Sequence, residues 1–262
     1  MPELSDNVVV KKTLPIFYVL DTSGSMAGAK IGKLNDAMNE CTRILKEKAS
    51  ELADAELKIG VLTFSTGAHW ITKNGLVSIE DFHWNNISAN GVTDLGAAVN
   101  ALDDGLTRSK LLDSETGFFI PVLIFMSDGG PTDSWKKALK NATETNRWFK
   151  ESKKLAIAIG DNADTDVLAE LVGNPEAVVS VKDLETLKNF IVKVSVSASM
   201  LASKSKMVGS TSTGADIVKD AAKGEKNVHT LPPTNTTPKP APAPAPAPTP
   251  KSKDSWEDDD WN

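Results

Sequence analysis

Asp21-Thr22-Ser23-Gly24-Ser25 sets one carboxylate and two hydroxyls at alternate positions, directly after an apolar run and shortly before a stretch of helical period. A second carboxylate stands in Ser127-Asp128-Gly129-Gly130-Pro131-Thr132-Asp133, after the apolar run that ends at Met126. A third polar segment, Asn90-Gly91-Val92-Thr93-Asp94, offers the Thr93 hydroxyl just ahead of another helical stretch. All these donors are hard oxygens. Hard oxygens with few direct carboxylates suit Mg²⁺, with Mn²⁺ as a substitute, whereas zinc calls for His or Cys. If Asp21 and Asp128 are the only carboxylates nearby, and one acts through water, a cation held here stays electrophilic. It then has room for an Asp or Glu supplied by a protein partner.

The three segments matter together only if the fold brings them to one place. Short β-branched and apolar runs recur at 16–20, 57–64, 68–71, 120–126, 155–159 and 177–181, and they read as strands. Between them apolar residues return at helical period, as in Ile31, Leu34, Met38, Cys41 and Leu45, or Leu95, Val99, Leu102 and Leu106. Trp135 to Phe149, Val167 to Leu171 and Leu184 to Val194 continue the pattern. Alternating strands and helices imply parallel pairing through right-handed crossovers. The expected fold is an α/β three-layer sandwich, a Rossmann-like doubly wound and mostly parallel sheet. The run at 68–71 follows its predecessor after only Ser65, Thr66 and Gly67, too short for a crossover, so it is expected as one antiparallel edge strand. In such sheets ligands bind outside the carboxyl ends of the strands, where strand order reverses. Asp21 and Asp128 both fall at such ends.

Composition narrows the function classes. The chain has 262 residues, 29 Lys and Arg against 35 Asp and Glu, and a net charge of −6. With no concentrated basic stripe, nucleic acid is not the expected partner, because phosphate neutralisation needs clustered positive charge. No apolar run approaches the ~20 residues needed to cross a bilayer, and no secretory leader opens the sequence, so a cytoplasmic setting and no membrane are expected. The single Cys41 excludes a disulfide framework. His69, His83 and His229 are scattered and no G-x-S-x-G elbow occurs, so no nucleophilic triad can be assembled. No catalytic residue is assigned.

Residues 1–12 read as an N-terminal extension and 13–202 as the domain. Segment 203–250 reads as a Ser/Thr- and Pro/Ala-rich linker, with proline at every second position from Pro238 to Pro250. A polyproline II spacer of that length spans roughly 40 Å. It leads to 251–262, KSKDSWEDDDWN, expected as a disordered acidic tail. Trp256 and Trp261 are costly to leave in water and fit a docking motif for a basic and apolar groove.

The order D-T-S-G-S-M, G-V-T-D-L-G and S-D-G-G-P-T-D resembles a von Willebrand factor A domain with its metal-ion-dependent adhesion site, over roughly residues 13–202. The variants D-T-S-G-S-M-x-G-x-K-I and M-S-D-G-G-P-T-D-S-W are similar to those of the bacterial TerY-like group, associated with tellurite resistance and stress. The resemblance implies metal ligation by Asp21, Ser23, Ser25 and Thr93, with Asp128 acting through water. It also implies a non-enzymatic protein-binding role, and in this group a scaffold working with a kinase-like protein and a metal-dependent Ser/Thr phosphatase. The alternative is a regulatory subunit of an AAA-type ATPase. Some relatives carry a cysteine-rich C-terminal part where this chain has the proline spacer and acidic tail.

Other features have plainer readings. Asp133 follows the Pro131 turn and reads as a cap or loop hydrogen-bond partner. The segment Asp161 to Asp166 departs from a calcium loop, which needs Gly at its sixth position and Glu at its twelfth, and reads as a turn with a helix cap. Gly28 to Lys33 is one residue short of a phosphate loop. Cys41 reads as a small buried hydrophobe, and Trp70, Trp84, Trp135 and Trp148 as core or half-buried residues.

Overall fold

The computed structural model describes residues 11–232 apart from 53–54, 74, 182, 205–211 and 225–227. The strands are β1 (Lys12–Asp21), β2 (Ala55–Ser65), β3 (Gly67–Trp70), β4 (Val77–Ser78), β5 (Val122–Ser127), β6 (Lys153–Ile159), β7 (Val178–Val181) and β8 (Val228–Thr230). They form one sheet in the order β3-β2-β1-β5-β6-β7-β8, with β4 also paired to β2. The five central strands run parallel; β3 and β4 are antiparallel to β2, and β8 is antiparallel to β7. Strand order reverses between β1 and β5, at the place where the sequence sets Asp21 and Asp128.

The helices are α1 (Ala29–Ala49), α2 (Leu95–Gly105), α3 (Trp135–Thr145), α4 (Arg147–Glu151), α5 (Thr165–Val172), α6 (Leu184–Lys204) and α7 (Gly214–Ala221). Alternate residues of a strand face opposite sides of the sheet, yet Leu14 and Ile16 through Leu20 of β1 are all buried. The sheet is therefore covered on both faces, as continuous apolar strands require. α1 packs along α6, which crosses β1, while α2 packs against β2 and β3 and also against α3. A buried polar link joins two layers: the Tyr18 hydroxyl donates to Ser195 Oγ at 2.8 Å, and Ser195 donates to the Ile191 carbonyl at 2.7 Å. Burial pushes the Tyr18 phenol well above its ordinary range. Cys41 is buried beside it, as expected of a small hydrophobe, with Sγ 3.4 Å from the phenol oxygen.

Three local differences have clear causes. The helical period from Trp135 to Phe149 is broken at Asn146, whose side chain accepts from the Trp148 and Phe149 N–H groups and so opens α4 afresh. Ile120 precedes Pro121 and stays outside β5, 41% exposed. The segment 203–250, expected as linker, is corrected in its first part: the domain continues through α7 and β8. A capping box between Thr213 and Asp216 starts α7, and Ile217 and Val218 are wholly buried. The polar composition hides an element whose apolar face is only two turns long.

Candidate metal centre

β1 delivers Asp21 to the carboxyl edge of the sheet with its carboxylate out of contact with solvent. Asp21 Oδ1 accepts from the Ser23 N–H at 2.8 Å, and Oδ2 from the Ser127 hydroxyl at 2.6 Å. Ser127 in turn accepts from the Gly129 N–H at 2.8 Å. The Ser23 and Ser25 hydroxyls lie 3.0 Å apart, and Ser25 donates to Asp128 Oδ1 at 2.8 Å. The other Asp128 oxygen receives the Lys30 ammonium at 2.6 Å, an ion pair whose carboxylate is nearly buried.

The middle loop is laid onto the first by its backbone: Gly24 N–H donates to the Gly91 carbonyl at 2.9 Å and Asn90 N–H to the Thr22 carbonyl at 2.8 Å. Gly91 has φ +85°, and a Cβ there would lie 2.6 Å from Thr66 Oγ1, so both the turn and the close approach require glycine. Thr93 is tied to the third loop in both directions, accepting from Thr132 N–H at 2.8 Å and donating its own N–H to Thr132 Oγ1 at 3.2 Å. Its hydroxyl makes no hydrogen bond among the described residues. Ser23, Ser25, Thr93 and Asp128 line one open groove.

The donor chemistry fits a hard divalent cation. Burial raises the Asp21 pKa; hydrogen bonds from Ser127 and Ser23 pull it back, and the facing Asp128 charge adds to the rise. Two neighbouring carboxylates thus sit at low exposure with one ammonium, on Asp128, as counter-charge among the described residues. Among those residues no group of three or more His, Cys, Asp or Glu could hold a metal. A cation here would depend on the serine and threonine hydroxyls, a set that suits Mg²⁺ or Mn²⁺ better than Zn²⁺.

All five sequence-selected residues, Asp21, Ser23, Ser25, Thr93 and Asp128, meet at this edge. Asp133 serves as a cap: its carboxylate accepts from the Gly96 and Ala97 N–H groups at 2.9 and 3.0 Å, at the start of α2. Asp164 caps α5 by accepting from the Val167 N–H. Lys30 and Ser127 stand inside the motifs named above, but sequence reasoning assigned neither a role at the site. Ser127 was visible as the hydroxyl next to Asp128, whereas the reach of Lys30 to Asp128 depends on where α1 starts. Trp256 and Trp261 lie outside the described residues.

Solved structures share this architecture. Proximal thread matrix protein 1 from the mussel byssus, in a second crystal form, is 14% identical over 72% of this chain and 48% of its own, with a TM-score of 0.53. A von Willebrand factor type A protein from Catenulispora acidiphila is 15% identical over 72% of this chain and 43% of its own, with a TM-score of 0.51. The fold is that of a von Willebrand factor A domain. Another structure of the mussel protein, 15% identical over the same shares and with a TM-score of 0.53, has zinc in its metal-ion-dependent adhesion site. The chain spans about half the length or less of these structures. No protein-family model matches the sequence, and no curated protein matches it. Among the described residues of this A-type fold, no helix is long and apolar enough to cross a membrane.

Proposed function

We propose that this A domain is a non-enzymatic, metal-dependent protein-binding module. The observation that carries the reading is the convergence of the paired Ser23 and Ser25 hydroxyls, Thr93 and Asp128 on one open groove, with the buried Asp21 carboxylate held behind it by the Ser23 N–H and the Ser127 hydroxyl. Asp21, Ser23, Ser25 and Thr93 would hold the cation, Mg²⁺ or Mn²⁺, with Asp128 orienting a bound water. The cation supplies Lewis acidity toward a carboxylate from a protein partner. Ser127 and the Ser23 N–H keep Asp21 oriented, and the backbone bonds between the loops hold Thr93 in register with the serines.

Motif similarity to the TerY-like group extends the proposal to a scaffold in a bacterial stress or phospho-signalling system, with kinase-like and phosphatase partners. Affinity purification of the full chain with Mg²⁺ and with EDTA, read by mass spectrometry, tests both levels. Recovery of a partner in Mg²⁺ and its loss in EDTA supports the module. A kinase or phosphatase among the recovered proteins supports the scaffold, an ATP-dependent ring assembly supports the ATPase-subunit alternative, and a partner retained undiminished in EDTA removes the metal face from the interface.

A further inference from the structure

Only three of the 29 Lys and Arg residues are arginine, and two of them meet at one tryptophan. Arg43 is ion-paired with Glu40 and Glu47. Arg108 and Arg147 have no ion-pair partner among the described residues. Arg108 Cζ lies 5.5 Å from the Phe118 ring centre and 6.0 Å from that of Trp148, and Arg147 Cζ lies 5.9 Å from Trp148. Phe118 and Trp148 pack edge to face at 4.6 Å. A guanidinium stacked on an aromatic ring is already held in place, so it gives up little freedom when its donor fork meets a carboxylate.

Arg108, Arg147 and Trp148 line an open groove with buried Leu106 beneath. The acid in its lining, Asp103, accepts from Asn141 Nδ2 at 3.1 Å, and neighbouring Asp104 is ion-paired with Lys110. This groove lies at the opposite end of the sheet from Asp21. Phe118 bridges Thr13 at the start of β1, and α4 runs directly into the start of β6.

We propose that this groove receives the chain's own acidic segment 254–261, Asp-Ser-Trp-Glu-Asp-Asp-Asp-Trp. Charge and stacking are complementary: five carboxylates and two indoles face two unpaired guanidiniums, an indole and a phenyl ring. Chain direction agrees. β8 is antiparallel to β7, so the described chain leaves β8 at the end of the sheet where the groove lies. Three strand spacings, about 15 Å, separate β8 from β5. The intervening residues reach roughly 60 Å when extended as polyproline II, enough for this groove or that of a second copy.

The six tryptophan indole N–H resonances of the full chain test this, with Trp256 and Trp261 assigned through W256F and W261F. The Trp256 and Trp261 signals are expected away from their positions in a free 254–261 peptide. R108Q/R147Q returns them to the free positions, as do D258N/D259N/D260N and ~1 M NaCl, where the screening length is about 3 Å. The tryptophans away from the groove keep their positions and report an intact fold. Displacement that persists on dilution supports docking in the segment's own groove, and loss on dilution overturns it in favour of a second copy's. Free-peptide positions in the unaltered chain, or displacement that survives either set of substitutions, would overturn the proposal.

Discussion

The two ends of the sheet handle charge in opposite ways. At the carboxyl edge, Asp21 and Asp128 are buried and fixed by short loops, with the Ser23 N–H, two serine hydroxyls and the Lys30 ammonium donating to their oxygens. At the amino edge, Arg108 and Arg147 are exposed and positioned by stacking on Trp148. Charge built into strand ends is dictated by the fold, and its position changes only if the sheet changes. Charge carried on long side chains depends on a few aromatic neighbours, and salt and single substitutions reach it easily.

The largest expected effect lies at the buried end. Asp21→Ala is expected to lower Mg²⁺ affinity by more than about 100-fold in calorimetric titration, since even residues behind a metal's direct ligands contribute 10–100-fold. Asp21→Asn keeps an acceptor for the Ser23 N–H and removes the repulsion from Asp128, but turns an amide N–H₂ toward the Ser127 hydroxyl, so the metal-free chain should melt close to wild type. Equal Mg²⁺ affinities in wild type and Asp21→Ala would break the comparison at its root. Thr93→Ala removes one neutral donor, and about tenfold weaker binding is expected in the same titration.

Lys30→Met sharpens the contrast by taking away the ammonium that pairs with Asp128 at the buried end. Mg²⁺ affinity should rise about three- to tenfold, because a like charge is lost and Asp128 is freed. Unchanged or weaker binding would show that the Lys30 pair organises the site rather than opposing the cation.

The smallest effect belongs to the amino edge, where Lys154 of β6 lies over the Phe149 ring and burial lowers its pKa to about 8, partly offset by Glu151. In the window between about pH 8 and the unfolded value near 10.4, the unfolded chain holds the proton that the folded chain has released. Stability from this residue therefore rises with pH there. Lys154→Met should flatten that slope in denaturant melts at pH 7.5 and 9.5; an unchanged slope would assign the gain elsewhere.

The central strands were legible in the sequence because β1, β2, β5 and β6 are continuous apolar runs, and the gathering of the candidate donors because Asp21 and Asp128 stand at or just past strand ends and Thr93 just before a helix. Residues 214–221 and 228–230 were not, since two buried turns and three strand residues leave too short a pattern to stand out from Ser, Lys and Gly. The capping box of Thr213 and Asp216 that starts α7 shows only in the structure, because Asp replaces the Glu or Gln by which such a box is read in a sequence. Lys30 shows a different limit: its pairing with Asp128 spans 98 positions and arises from the packing of α1 against the strand-order reversal.

The antiparallel turn of β8 also fixes how the domain can be mounted. β1 starts and β8 finishes facing the same end of the sheet, so a host chain could enter and leave there while the Asp21 edge points away. Domains with such paired exits tolerate insertion into surface loops of other proteins. Residues 11–232 grafted into a loop of a soluble carrier should present their metal face outward, like a bulb in a socket, with neither junction crossing it.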